Sequence, residues 1–186
     1  LDKRHFDVVG LKQDWNFEPN DRWFLKWGFD LKSYTASYDY FSSKLNSYWV
    51  SPDNEIVWTD SNQVKIKPAG RRMGAYFANR FRLLSPLTAE LGLRYDYASY
   101  TKDQLFSPRI NLVYALGKQT FLRSGWGYFY QSAGIHEIRV EDGEDQFYPA
   151  ELAEHWVVGL EHVFRNGIVM RLEGYYKTLS HLRPDY

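Results

Sequence analysis

Five histidines stand at positions 5, 136, 155, 162 and 181, too scattered for the short spacing that brings two imidazoles onto one metal. No metal or haem site is expected from them. The acidic run Glu141, Asp142, Gly143, Glu144, Asp145 supplies hard oxygen ligands, but it lacks the positions of a calcium-binding EF-hand loop and reads as a solvated loop. A serine nucleophile of the Gly-x-Ser-x-Gly kind is absent. The Gly125-Trp126-Gly127 run sits in a strand pattern with no helix after it, so it is no phosphate cradle. Cysteine is absent, which removes thiolate chemistry, disulfides and Cys-ligated metals together. No catalytic residue, cofactor or metal ligand is assigned.

Two other groups of residues invite a role. Arg80, Arg82, Arg94, Arg109, Arg123 and Arg171, with Glu90, Asp96, Glu161 and Glu173, recur at alternate positions, as expected of ion pairs laddered along a wet wall. Trp49, Trp58, His136 and Arg139 fall in long polar stretches. They are the candidates for touching a ligand, because binding residues concentrate on loops carried by a rigid scaffold.

The elements that would position these residues follow a period of two, the signature of strands. Val9, Leu11, Trp15 and Phe17 alternate with Gly10, Lys12, Asp14 and Asn16. After the turn residues Glu18 to Asp21, Trp23, Leu25, Trp27, Phe29 and Leu31 alternate with Lys26, Gly28, Asp30 and Lys32. From Phe41 to about Gly70 the chain is polar and irregular; it reads as a large loop, with a short hairpin of its own at Ile56–Trp58 and Val64–Ile66. A second main hairpin turns at Ser85-Pro86, with Met73, Phe77, Phe81, Leu91, Leu93, Tyr95 and Tyr97 on its apolar side. A third joins Arg109–Tyr114 to Phe121–Tyr130. A fourth turns at Arg165-Asn166-Gly167, where Asn-Gly suits a tight reversal. Connections within hairpins are short and those between them are expected to be long, so one end of the sheet carries turns and the other carries loops. About eight strands result. That number closes a small barrel by itself, but residues after Lys177, with His181, Leu182, Arg183, Pro184 and Asp185, read as the start of a further loop.

Composition narrows the setting. Aromatic residues make up 18% of the chain and mean hydropathy is −0.53, a pairing that suits aromatic girdles around a polar lumen. Tyr95, Tyr97, Trp126, Tyr128 and Tyr130 fall near the loop ends of their strands and Trp23 near a short turn, where rings meet headgroups. Lys plus Arg equals Asp plus Glu at 23 each, which offers no electrostatic footprint for nucleic acid. The sequence has no apolar run long enough for a spanning helix, and LDKRHFDVVG lacks a signal-peptide core. The chain is expected to begin after processing or to be a piece of something longer. At 186 residues one architectural unit, residues 1–186, is expected.

Specific stretches then resemble a known family. Ser107-Pro108-Arg109 leading into Ile110–Tyr114, followed by Thr120–Gly127, resembles a repeated hairpin of TonB-dependent outer-membrane receptors. Tyr148–Glu151, Glu154–Glu161 and Arg171–Lys177 resemble that family's later strands. The resemblance is good over residues 73–186 and rests on barrel pattern alone before that. It implies an all-β, antiparallel up-and-down transmembrane barrel of 22 strands, of which this chain is a part without the plug domain. It implies a bacterial outer-membrane location and energy-dependent uptake of a nutrient of the siderophore, haem, cobalamin or glycan class. Outer-membrane lipid, the protein's own plug, TonB acting through the plug, and the cargo are the implied partners. The charged ladder is then expected to hold the wall and contact the plug. The competing reading is a soluble β-barrel or β-sandwich module that stacks its rings on a carbohydrate or apolar ligand; an outer-membrane hydrolase is a third.

Overall fold

Side chains that alternate in polarity give a strand one wet and one greasy face, and here such strands pair edge to edge through almost the whole chain. The computed structural model describes residues 1–51 and 54–183. The strands are β1 (Asp2–Asn20), β2 (Trp23–Ser51), β3 (Asn54–Ile66), β4 (Ala69–Leu84), β5 (Leu87–Ala98), β6 (Asp103–Ala115), β7 (Thr120–Gln131), β8 (Glu151–Val163) and β9 (Val169–Ser180). One 3-10 turn, Val140–Asp142, lies between β7 and β8. The sheet runs β1-β2-β4-β5-β6-β7-β8-β9, with β3 paired to β2. Every pairing is antiparallel. Among the described residues β1 and β9 each keep an unpartnered edge, so the sheet is not closed.

The four main hairpins are present, but the expected short hairpin is not: Ile56–Trp58 and Val64–Ile66 lie on one strand, β3, and both pair with β2. Instead of an irregular loop, residues 42–51 and 54–66 continue as a two-stranded ribbon, Ser42 pairing with Asn62 and Tyr48 with Ile56. Ribbon and wall share one register. Tyr38 pairs with Ile66 and Thr35 with Ala69, three residues apart on both sides. β3 and β4 are therefore one long strand interrupted at Lys67-Pro68. Pro68 still accepts from Ala36 N–H at 2.8 Å, but it has no N–H to return, which is what breaks the ladder. Nine assigned strands thus make eight staves, matching the expected number. The ribbon escaped the periodicity test because polar side chains occupy both of its faces.

A second correction concerns the loop end. The β5–β6 link is only Ser99–Lys102, made tight by Lys102 at φ 60° and by Thr101 Oγ1 donating to Asp103 at 2.7 Å. The β7–β8 link, residues 132–150, is long as expected. At the opposite end all four connections are short; Gly167, at φ 85°, closes the β8–β9 turn, where Ile168 N–H donates to Asn166 Oδ1. His181 to Arg183 leave β9 as anticipated, while the reading of Pro184 and Asp185 lies outside the described residues.

Register sorts every side chain onto one of two faces. Trp27, Phe77, Leu93 and Pro108 share one row of the apolar face. Ile110, Trp126, Trp156 and Tyr176 share another. These large apolar side chains are not covered: Phe106 is 57% and Leu172 71% exposed. A water-soluble sheet would bury such a face. On β2 the apolar row Trp23 to Leu31 gives way to Ser33, Thr35, Ser37 and Asp39, marking one border of the band. From Met73 to Leu83 the band runs about 33 Å along the strand, or about 25 Å along a normal tilted by about 40°.

The small core lies on the other face and at the loop end. Ala36, Tyr38 and Val64, from β2 and β3, pack against Ile135, Ile138 and Val140 of the 132–150 loop, with Tyr34, Tyr100 and Phe147 around them. Tyr38 and Val140 are 1% and 0% exposed. The loop therefore leaves β7 and seats itself on β2 and β3, with β6, β5 and β4 intervening in the sheet.

Candidate functional site

All ten members of the expected charged ladder lie on the polar face. Arg80 is level with Glu90, Glu161 with Arg171, and Glu173 with Gly159, which is itself level with Arg123. They form separate clusters rather than one continuous ladder. Glu161 accepts from Arg123 Nη2 at 2.9 Å and from Arg171 Nη2 at 2.6 Å, with Glu173 3.8 Å from Arg171. Asn111 Nδ2 donates to Glu90 at 3.3 Å. Arg109 lies over the Phe129 ring at 4.5 Å and Arg80 over Phe24 at 4.7 Å. Arg82 reaches Asp21 at the β1–β2 turn, 3.8 Å away.

Arg94 makes the densest cluster, joining Asp96 of the expected ladder to Asp30, a partner that spacing alone did not single out. Its Nε donates to Asp96 Oδ2 at 2.6 Å, and its Nη2 donates to Asp96 Oδ1 at 2.6 Å and to Asp30 Oδ2 at 3.0 Å. Asp30 is on β2 and Arg94 on β5, so the guanidinium must cross β4. It does so over Gly74, where a Cβ would fall 2.6 Å from Arg94 Nη2 and 2.7 Å from Asp30 Oδ2. The same device recurs one strand away. Tyr76 Oη donates to Asp14 at 2.5 Å, and a Cβ on the intervening Gly28 would sit 2.6 Å from Asp14 Oδ1 and 2.6 Å from the Gln13 carbonyl oxygen. The readable signal was a glycine opposite a long polar side chain on the neighbouring strand, which becomes visible only with the register in hand.

Beside these clusters a trough of about 550 Å³ opens on the polar face, lined by Arg80, Glu90, Arg109, Arg123, His155 and Glu173. Gly125, Gly127 and Gly159 lie along its wall. Buried Arg123 Nε and His155 Nε2 have no hydrogen-bond partner. Glycine where neighbours carry side chains lets another backbone approach closely. Among the described residues no group of His, Asp or Glu side chains converges to hold a metal.

The four ligand-contact candidates are not gathered at one spot. Trp58 projects from the polar face of the ribbon, edge to face with Tyr48 at 5.9 Å. Trp49 pairs with Glu55 and Trp58 with Asn46, so the two tryptophans point to opposite faces. His136 and Arg139 belong to the 132–150 loop, His136 with its ring edge to face with Phe6 at 6.2 Å. Arg139 precedes the 3-10 turn. The loop is anchored by residues that sequence reading missed. Tyr38 Oη donates to the Ile135 carbonyl at 2.7 Å, Asn62 Nδ2 to the Val140 and Glu141 carbonyls, and Arg4 pairs with Glu141 at 2.9 Å. At its other side Arg183 Nη2 donates to Glu137 at 2.8 Å. Burial raises the Glu137 carboxyl, but Arg183 and the Gly134 N–H outweigh it and hold the group below its ordinary range. Burial pushes the Tyr38 and Tyr100 hydroxyls up.

On the apolar face three indole N–H groups are paired. Trp126 Nε1 and Trp156 Nε1 both donate to Glu154 Oε1, at 2.8 and 3.2 Å, and Trp23 Nε1 donates to Asn79 Oδ1 at 2.8 Å. Glu154 is level with Tyr128, in the aromatic zone expected at the loop ends. The ladders pair the backbone between neighbouring strands, as a medium that cannot hydrogen-bond requires.

The family model described as TonB-dependent receptor-like β-barrel matches residues 2–182. No curated protein matches the chain. Among solved structures, the ferric enterobactin receptor PfeA from Pseudomonas aeruginosa, in complex with BCV-L6, aligns over 95% of the chain with a TM-score of 0.53 and 11% identity. The alcaligin outer-membrane receptor FauA from Bordetella pertussis aligns over 96% with a TM-score of 0.50 and 12% identity. The chain spans 43% and 38% of the length of these two receptors, and likeness at such identity concerns the fold.

Proposed function

The chain belongs to the TonB-dependent receptor β-barrel family, and from that premise we propose that it forms part of the wall of an outer-membrane receptor importing a scarce nutrient. Residues 1–186 then supply eight staves of a 22-stranded barrel, and a plug domain lies elsewhere in the longer protein. The observation that carries this reading is the two-faced sheet. Its uncovered apolar face is the height of a bilayer's hydrocarbon band, and its charged face is paired strand to strand. The soluble alternative leaves Phe106 and Leu172 in water with nothing to cover them, and does not account for the four short connections that share one end.

The short turns face the periplasm and the ribbon and 132–150 loop face the outside. Arg80, Arg82, Glu90, Arg94, Arg109, Arg123, Glu161, Arg171 and Glu173 brace the lumen and meet the plug, with TonB acting through the plug. Trp58, His136 and Arg139 contact the cargo at the outer mouth, with Trp49 peripheral. The cargo is a small nutrient of the siderophore, haem, cobalamin or glycan class. The protein makes and breaks no covalent bond. Lipid-soluble quenchers against a fluorophore at Leu91 or Leu93, compared with one at Gly92 between them, test the orientation. Quenching at 91 and 93 but not 92 is expected; water-soluble quenchers reaching Leu91 and Leu93 would refute it. Nutrient-limited growth of cells carrying or lacking the complete receptor, across ferric chelates, haem, cobalamin and glycans, identifies the cargo.

A further inference from the structure

Pairing carries one row of the polar face across most of the sheet. Lys26, Ala78, Gly92 and Arg109 are level from β2 to β6, and the row runs on through Gly127 and His155 to Lys177 on β9. Every member is basic or small, and no carboxylate stands among them. Ala78 is midway between Met73 and Leu83, so the row lies at mid-height of the apolar band on the other side of the wall. Among the described residues none of its basic side chains has a carboxylate partner. Two of them rest on rings instead. Lys26 Nζ lies 5.9 Å from the centre of Tyr76 and the Arg109 guanidinium 4.5 Å from that of Phe129.

Lys26 on β2 and Arg109 on β6 have both neighbouring strands in place, so no further stave brings them an anion. Between them, over Ala78 and Gly92, opens a hollow of about 380 Å³. A Cβ on Gly92 would meet nothing nearer than 3.7 Å, so the wall leaves this gap open. The carboxylates that line the hollow, Asp14 and Glu90, stand one row away on opposite sides. They are engaged already, Asp14 by Tyr76 and Lys12 and Glu90 by Asn111.

We propose that this row seats an acidic segment of the plug domain, with one carboxylate set against Lys26 and another against Arg109. The inference rests on the receptor reading above and deepens it by naming what the plug must present. While water fills the lumen these cations stay hydrated. A plug covering mid-height displaces that water, and an ammonium or guanidinium covered without an anion is strongly destabilising. The wall offers no anion in this row, so the plug supplies it. Lys26 and Arg109 are three strand separations apart, about 14 Å. Two carboxylates four residues apart on an extended segment, at ~3.4 Å per residue, meet that separation.

The test uses the complete receptor in detergent micelles. A water-soluble carbodiimide joins an amine to a carboxylate only where the two touch, and peptide mass mapping identifies the partner. Lys26 is expected to be joined to an Asp or Glu of the plug, as is the new amine in Arg109→Lys. Proteolysis supplies a second readout. In the double variant Lys26→Glu with Arg109→Glu the plug is expected to be cut at least tenfold faster than in the wild type, whereas Arg109→Lys, which keeps the charge, is cut at the wild-type rate. Heat-modifiable gel mobility confirms that the wall of each variant is folded; the cross-link, read in the wild type, decides the matter if the double variant does not fold. Lys26 joined only to Asp14 or Glu90, or to nothing, overturns the proposal, as does unchanged plug cleavage in the folded double variant. A double variant that alters chloride conductance in planar bilayers at wild-type plug cleavage assigns the row to an open path for anions and overturns it too. If the wild-type receptor itself yields no separable domain inside the wall, the receptor reading has failed rather than the row alone.

Discussion

Replacing Arg94 by Met should expose how the wall's charges are held. Arg94 carries three hydrogen bonds of 3.0 Å or less to two carboxylates, and the Asp30 and Asp96 side chains are only 13% and 10% exposed. Methionine preserves the stem but leaves those carboxylates facing each other without a cation. Removing one partner of a buried ion pair costs about 3–5 kcal/mol. Arg94 keeps 30% of its side chain exposed and lumen water can reach the site, so the lower end, about 3 kcal/mol, is expected. The assay is equilibrium unfolding of the complete receptor in urea from lipid vesicles, followed by tryptophan fluorescence. Adding Asp30→Asn and Asp96→Asn to Arg94→Met should recover most of the loss, because the penalty lies in uncompensated charge rather than in a missing attraction. A loss below about 0.5 kcal/mol for Arg94→Met, the scale of an ordinary surface change, would refute the reasoning. So would a triple variant no more stable than the single one.

Other perturbations follow from the same geometry. Gly28→Ala should cost about 2 kcal/mol of unfolding free energy, since its Cβ meets a backbone carbonyl as well as Asp14 and overpacking of this kind is not relieved by a side-chain turn; Gly174→Ala, in open space, should stay within about 0.5 kcal/mol. Tyr38→Phe removes the hydrogen bond to the buried Ile135 carbonyl, worth about 1.5 kcal/mol, and amide exchange in residues 132–150 should quicken about tenfold. Because the folded Glu137 carboxyl is held below its ordinary range, the anchorage it gives is complete above the unfolded value of about 4.3 and is lost as pH falls through the lower folded value. Amide protection of the loop should therefore hold from neutral pH down to about 5 and weaken below about 4, with Glu137→Gln removing that acid step.

The wall was readable because one of its faces is uniform. Residues such as Leu91 and Leu93 alternate with Gly92 and Arg94, and register then carries the face from strand to strand, interrupted by Asn79 and Glu154. The ribbon beyond Phe41 obeys the same backbone rules but faces water on both sides, so Ser42, Asn46, Asp60 and Asn62 conceal its regularity. The bridging of β2 to β5 by Asp30 and Arg94 depends on which residues are level across two intervening ladders, information that no single strand contains. Trp49 and Trp58 looked equivalent as exposed aromatics; a difference of parity in the pairing sends them to opposite faces. The 132–150 loop was placed correctly as a loop, but its seat on Tyr38 and Val64 is a contact between distant parts of the chain.

The continuous frame shared by β3 and β4 sets a rule for how such a receptor can vary. Shortening or lengthening the outer ribbon by two residues on each arm returns every side chain to its own side and leaves the membrane portion untouched. A change of one residue would turn Asn62 and Val64 outward and unseat the loop, unless the slip is absorbed at Lys67-Pro68, where the ladder is already open. That proline junction works as an expansion joint, letting the exterior drift in length while the staves in the bilayer stay in step.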